Sequence, residues 1–432
     1  MGGVSATRRR KQLRSPVRLA SALLVAILVA GGVSLAVLRS RQAPSPSAAP
    51  AVGSLAPQID SLRRHLSHQP HDFRARFRLA QLYFTQKEYG RALDELAVLE
   101  AQRPRDAEVF LRRAMVRKYA GQLREAERDV QRALALRPHY LQAREWLGEI
   151  YLDQGRSKEA LRVFEQCLKE RSDSYFSLLG KARALEQLFV SRFPVGPEEI
   201  VAPVRRAVEL EPNNPWGVVM LARMTFNYLG QADAAEELAQ RAARLDPQNP
   251  EPHLILAEIA LHRPPTPENL RRAGEHALAA GQRDPTDYRP PLQMGRALLA
   301  QNEPAEAARL LERSLAIRPM PETVYQLSLA YRRAGNLERA RHYSEIYDRW
   351  NTLMERRKTL LGDVQREPEN VEHYLRLATL YLEAQAPDPA ENWLRKARRL
   401  RPNDSRVSRL LARVKRLRET TSQNATSLLP IP

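Results

Sequence analysis

Proline recurs in this chain at positions 70, 104, 138, 212, 247, 285, 319, 368 and 402, and four of the intervals are 34 residues long. The interval from 138 to 212 divides into 34 and 40 if Ser172 stands in the place of a proline; the others are 35, 38 and 49. A period of this length means one short unit copied along the chain, each copy burying its apolar face on the next. Ten residues after most of these prolines comes a small side chain: Ala80, Ala114, Gly148, Ala182, Ala222, Ala257, Gly295 and Ala378. Twelve residues further on, the regular units carry a second, at Ala92, Ala126, Ala160, Ala307 and Ala390. Two helices that cross closely need small residues where they touch, and a proline ends the second helix so that the chain can turn back. Tyr83, Tyr151, Tyr331 and Tyr381 follow the first small position by three, and Phe164 follows the second by four. Gly121, Gly155 and Gly335 fall where a helix C-terminus requires positive φ.

This arrangement resembles the tetratricopeptide repeat, whose signature places an aromatic, a small residue, Tyr, Ala, Phe and Pro at fixed offsets over 34 residues. Trp146, Leu147, Gly148, Tyr151, Gly155, Ala160 and Phe164 carry it in order within residues 141–174. The resemblance covers nearly all of residues 59–404. It implies an all-α fold, a right-handed α-solenoid of about nine helix-turn-helix repeats beginning near 73, 107, 141, 175, 215, 250, 288, 321 and 371. The signature tryptophan is mostly another residue here, and Ser328 stands where Ala or Gly is usual. The fourth repeat gains a loop around Phe193–Pro197, and the sixth gains one containing Pro264, Pro265 and Pro267. Apolar Tyr343, Tyr347, Trp350, Met354, Leu361 and Val364 continue at helical spacing between Pro319 and Pro368, so the second helix of repeat eight should run on as one long helix. Residues 405–418 read as a basic closing helix with Asp404 or Ser405 as N-cap, its apolar stripe formed by Val407, Leu410, Leu411, Val414 and Leu417. Residues 419–432 read as a disordered tail.

Upstream of the repeats, residues 19–38 hold no charge, and twenty residues at 1.5 Å rise match a hydrocarbon core of about 30 Å. They are expected to form a transmembrane helix. Arg8, Arg9, Arg10, Lys11, Arg14 and Arg18 precede it, which places the basic tail 1–18 in the cytoplasm and the repeats outside it. Arg39 and Arg41 follow at once, where a cleaved signal peptide would carry small residues, so the segment reads as an uncleaved anchor in the cytoplasmic (inner) membrane. Ala22, Ala26, Ala30 and Ser34 recur every four residues and form a face on which two such helices could approach as a homodimer. Residues 39–58, with Pro44, Pro46, Pro50 and Pro57 among small residues, read as an extended linker.

The formal charge of +19 is concentrated at the ends. Residues 1–59 hold eight Lys/Arg and no acid, and residues 395–418 hold eleven against Asp404 alone. The body between them is close to neutral, which argues against nucleic acid as a partner. One cysteine, Cys167, can form neither an internal disulfide nor a Cys-rich zinc site, and its repeat position is usually Ala, so it reads as a core thiol. His65, His68 and His71 are separated by Pro70 and are not expected to hold a metal. No phosphate loop, carboxylate pair or nucleophile elbow appears, so neither a catalytic residue nor a cofactor is expected.

In the family this chain resembles, positions 2, 5, 9, 12 and 13 of each unit point into a concave groove. That register implies a groove lined by Phe176, Arg183, Trp216, Val219, Arg223, Phe226, Asn227 and Arg296, with acidic bands at Glu145, Glu149 and Glu258. Aromatics and guanidinium groups anchor peptides well. The carboxylate clamp of the co-chaperone members, a Lys at position 5 and an Asn at position 9, is absent. The expected function is a non-catalytic scaffold that docks an extended segment of a partner protein, for envelope assembly, secretion or polysaccharide export. A tether for anionic lipid or wall polymer through the basic closing helix, and a regulatory subunit of a membrane enzyme complex, are the alternatives.

Overall fold

The computed structural model describes residues 55–191 and 193–421. The expected membrane helix 19–38 and its dimer face at Ala22, Ala26, Ala30 and Ser34 lie outside the described residues. Among the described residues, no helix is long and apolar enough to cross a membrane. These residues form twenty helices and no strand, in two compact units that divide after Asp246.

In the first unit an opening helix, α1 (Leu55–His68), precedes five helical hairpins. They are α2 (Phe73–Thr85) with α3 (Tyr89–Gln102), α4 (Ala107–Tyr119) with α5 (Leu123–Leu136), and α6 (Leu141–Asp153) with α7 (Ser157–Glu170). Then follow α8 (Tyr175–Val190) with α9 (Pro197–Leu210), and α10 (Pro215–Leu229) with α11 (Ala232–Leu245). The second unit contains α12 (Glu251–His262) with α13 (Pro267–Arg283) and α14 (Arg289–Ala300) with α15 (Pro304–Ile317). It continues with α16 (Pro321–Arg333) and α17 (Leu337–Arg366), α18 (Val371–Glu383) and α19 (Pro387–Leu400), and a closing helix, α20 (Ser405–Thr421). Every expected repeat start lies within one residue of the first helix of a hairpin. Within each unit a helix packs on its neighbours in sequence, and first helices such as α6 and α8 also meet across one repeat.

The small residues lie where the helices touch. Ala80, Ala92, Ala114, Ala126, Ala160, Ala182 and Ala222 are buried in the first unit, and Ala257, Ala307, Ala378 and Ala390 in the second. The ring of Phe164 on α7 fills the space between α6 and α8: a Cβ built on Gly148 would stand 2.6 Å from it, and one on Gly180 2.3 Å. Cys167 is fully buried on the same helix, as expected for a core thiol. Burial and then the nearby Glu145 charge push its pKa up to about 11.

Caps explain where the helices begin. Asp72, Asp106, Ser174, Asn214, Asn336 and Asn370 each accept a hydrogen bond from a backbone N–H in the first turn of the following helix. Gly121, Gly155 and Gly335 take φ of +79°, +73° and +79° at the hairpin turns, as their spacing implies. Lys87, Asn302 and Gln385 take the same left-handed conformation in repeats one, seven and nine with a side chain attached.

Three features differ from, or sharpen, the sequence expectation. Helix α1 begins at Leu55, inside the stretch read as linker, because Leu55, Ile59 and Leu66 are buried against the first hairpin. Pro57 is accommodated in the first turn, where its missing N–H has no intrahelical partner to lose. Helix α17 is a single element of 30 residues, as the spacing of its apolar residues predicts, but Ala340 is its one buried residue. Helix α20 extends to Thr421, and Asp404 accepts from the Arg406 N–H as the expected cap.

The contact at Phe164 yields a paired prediction. Gly180→Ala should lower the denaturant midpoint by a destabilisation of about 1–3 kcal/mol, because the ring cannot move without disturbing two helices. Gly274→Ala, where a Cβ meets nothing within 4 Å, should stabilise α13 by roughly 0.5–1 kcal/mol.

Candidate functional site

The expected groove residues of the first unit lie on α6, α8 and α10, and the structure divides them into two groups. One group is committed to holding neighbouring repeats together. Glu145 is buried and accepts hydrogen bonds from Ser174 Oγ at 2.5 Å and Ser177 Oγ at 2.7 Å. Glu149 is buried and accepts two bonds from Arg183, at 2.7 and 2.6 Å. Burial alone would disfavour the Arg183 charge, but the Glu149 carboxylate outweighs it and the guanidinium pKa rises. Val219 is also buried. As they stand, the two acids and Val219 present little to a partner.

The other group remains partly accessible. Trp216, Arg223, Phe226 and Asn227 of α10 are half-buried, as is Phe176, whose ring stands 5.9 Å from that of Trp146. This places the open part of the expected surface on the first helix of repeat five, with Phe176 as an outlier on α8.

Two further connections were not foreseen. Lys118 on α4 pairs with Asp153 on α6 at 3.1 Å, with side chains only 2% and 1% exposed. Its ammonium also lies 4.9 Å from the Tyr119 ring centroid and 5.7 Å from that of Trp146, over the faces of both rings. On α8, buried Glu186 accepts from Tyr228 Oη of α10 at 2.9 Å. Burial raises the Glu186 pKa, against the Tyr228 hydrogen bond and the Arg183 and Arg223 charges. Burial and then the Glu186 charge raise that of Tyr228. Polar links therefore tie the first helices of repeats two to five to one another: Lys118 to Asp153, Glu149 to Arg183, Glu186 to Tyr228. A signal was present in the sequence, since opposite charges at 149 and 183 stand one repeat apart.

In the second unit Arg296 of α14 pairs with Glu322 of α16 at 3.3 Å. Burial raises the Glu322 pKa, Arg296 opposes the rise and Glu258 of α12 adds to it. Arg296 thus joins α14 to α16, with Glu258 near enough to Glu322 for the two charges to repel.

Among the described residues no group of three or more His, Cys, Asp or Glu could hold a metal ion. His65 is engaged with Asp72 at 2.8 Å. His253 of α12 and His276 of α13 bring their Nδ1 atoms within 3.4 Å, a pair without a third ligand.

Two predictions follow from these geometries. Arg183→Ala should cost about 3–5 kcal/mol in chemical denaturation, because it leaves Glu149 buried and unpaired, whereas replacing both by Leu should recover most of the loss. Burial, followed by the Arg283 and His276 charges, lowers His253 to about 4 from 6.5. The folded state then binds this proton less readily than the unfolded chain, so the contribution to stability is complete above pH 6.5 and lost as pH falls toward 4. The melting temperature should fall through that window, and His253→Leu should flatten its upper part.

Sequence profiles of the tetratricopeptide repeat match residues 59–107, 111–176, 226–287 and 292–352, and a second profile of the same repeat matches 358–414. Comparison with curated proteins finds no match. Among solved structures, the chain is similar to the Cut9–Hcn1 hetero-tetramer of the APC/C, at 15% identity over 84% of this chain and 67% of that one, with a TM-score of 0.45. It is similar to human IFIT1 bound to PPP-AAAA, at 17% identity over 80% and 95% of the two chains and a TM-score of 0.43. A tetratricopeptide repeat protein from Parabacteroides merdae matches at 13% identity over 72% and 98%, with a TM-score of 0.41. With these profiles covering well over half of its residues, the chain belongs to the tetratricopeptide repeat family.

Proposed function

We propose that this protein is a membrane-anchored docking scaffold, held in the cytoplasmic membrane by residues 19–38 with its repeats on the outer side. There it binds an extended segment of a partner protein in an envelope assembly, secretion or polysaccharide-export machine. The observation that supports docking most directly is the state of α10. Trp216, Arg223, Phe226 and Asn227 lie together on the first helix of one repeat and remain partly accessible, while the neighbouring charges of α6 and α8 are consumed in holding the repeats in register. Aromatic and guanidinium groups on a rigid support are the side chains that most often dominate the energetics of protein interfaces.

The tether reading draws less support. Arg406 of α20 bonds Glu372 at 2.7 Å and Asp404 at 2.9 Å, and Arg418 bonds Asp388 and Glu391 at 2.6 and 2.7 Å. Val407 and Val414 are buried beneath them. These contacts fit a helix that closes the repeat stack.

The test is in-cell crosslinking and mass spectrometry on tagged full-length protein, beside a variant carrying Trp216→Ala, Phe226→Ala and Asn227→Ala. The expected result is loss of specific envelope proteins from the variant with its helical circular dichroism unchanged; retention of the same partners would refute the α10 surface. A phosphatase reporter fused after residue 432 should be active outside the cytoplasm, and activity of a cytoplasm-only reporter there would reverse the topology.

A further inference from the structure

The turn that joins repeat one to repeat two carries more positive charge than the fold requires. Residues 103–107, between α3 and α4, and Leu136 and Arg137 at the end of α5 bound a cleft of 580 Å³. The volume lies in the range of small-ligand sites, about 300–1,000 Å³. Arg103, Arg105 and Arg137 line it against one carboxylate, Asp106. The position of Arg103, just before the repeat proline, is Arg again at 137, 318 and 401 but acidic in Glu211, Asp246, Asp284 and Glu367. An acid is tolerated there, so stacking of the repeats does not dictate an arginine.

The guanidinium groups are held in place without being used up. That of Arg103 lies 3.8 Å from the ring centroid of Phe73, and that of Arg137 4.6 Å from the ring centroid of Tyr140. A guanidinium stacked on a ring is fixed by its face and keeps the N–H donors around its edge. Asp106 takes little of this capacity. One of its oxygens accepts from the Glu108 N–H as the cap of α4, and the other stands 3.9 Å from Arg103, beyond hydrogen-bond distance. Glu108, the next acid along the chain, is engaged by Arg112 and by the Tyr140 hydroxyl. Arg105 and Arg137 are exposed and have no carboxylate partner among the described residues. Three positive charges against one negative leave the cleft at +2.

We infer that this cleft binds the phosphoryl group of a phosphate monoester. Such a group carries close to two negative charges and three acceptor oxygens, which match the surplus charge and the three arginines that line the cleft. Each guanidinium fork can meet two of those oxygens. A single carboxylate offers half the charge and one oxygen fewer. Leu136, 38% exposed, and Pro104 form an apolar shoulder beside the charges, where the alcohol part of the ester rests. A soluble ester and a lipid headgroup present the same phosphoryl chemistry. The walls come from both repeats, so the site exists only where repeats one and two are stacked. The inference rests neither on docking at α10 nor on the membrane anchor.

The probe is glycerol 3-phosphate, titrated by calorimetry into the full-length protein in neutral detergent at low ionic strength, with succinate as a dianion that has no phosphoryl group. Glycerol 3-phosphate should bind about tenfold more tightly than succinate. Arg105→Glu and Arg137→Glu, both at exposed side chains, should each weaken its binding by about tenfold with helical content unchanged, since each removes a fork and adds a repelling charge. Arg409→Glu on α20 changes the net charge by the same amount and should leave binding intact. Dihexanoyl phosphatidic acid, kept below its micelle concentration, is the second arm. Tighter binding than glycerol 3-phosphate assigns the ester to a lipid headgroup, and equal or weaker binding assigns it to a soluble ester. Absence of heat with both phosphates, equal affinity for succinate, unchanged affinity in both cleft variants, or an equal loss in Arg409→Glu would overturn the proposal.

Discussion

Close approach of helices at positions where only Ala or Gly fits is the constraint on which every other feature of this protein rests. Phe164 shows how tight it is: its ring occupies the space that a Cβ at Gly148 or Gly180 would need, so three helices from two repeats are held by one side chain. The same contact recurs with different partners, as where Leu311 stands 2.7 Å from the position of a Cβ on Gly295. Because each such contact joins only neighbours, stability within each unit is a sum of local terms, and irregular loops are tolerated wherever they leave these points alone. The extra residues around Phe193 and Pro264 lie between helices, and the 30-residue α17 extends past the hairpin contact without displacing it.

Apolar contact of this kind is nearly the same at every repeat and so does little to distinguish one neighbour from another. The buried charges supply the difference. Glu149 meets Arg183 and Lys118 meets Asp153, in each case a residue 34 or 35 positions away on the next first helix. A repeat displaced by one unit would bury a charge opposite the wrong partner, at a cost of several kcal/mol per ion. Such pairs add little net stability over an apolar contact and much discrimination.

The fold was legible because its cause is periodic. Small residues, tyrosines and prolines must fall at fixed offsets for hairpins to stack, so the repeat starts, the glycine turns and the length of α17 could all be read from spacing. The groove was less legible, because exposure is a property of pairs. Glu145 looks like a surface acid until Ser174 and Ser177 are seen to donate to it, and Arg183 looks like an anchor until Glu149 faces it. The left-handed turns at Lys87 and Gln385 were hidden for a related reason: the backbone there follows the neighbouring helices against the preference of the residue.

The single thiol has a consequence of its own. Cys167 sits at full burial beside Phe164, on the face of α7 that holds α6 and α8 together, and its thiolate is suppressed by that burial. In a compartment that oxidises cysteines, a lone thiol on the surface would link chains at random; here the packing that joins repeats three and four also shields it. Whatever fraction of molecules reacts with a thiol reagent is the fraction in which those two repeats have parted, so the protein carries its own gauge of opening at the contact most tightly packed.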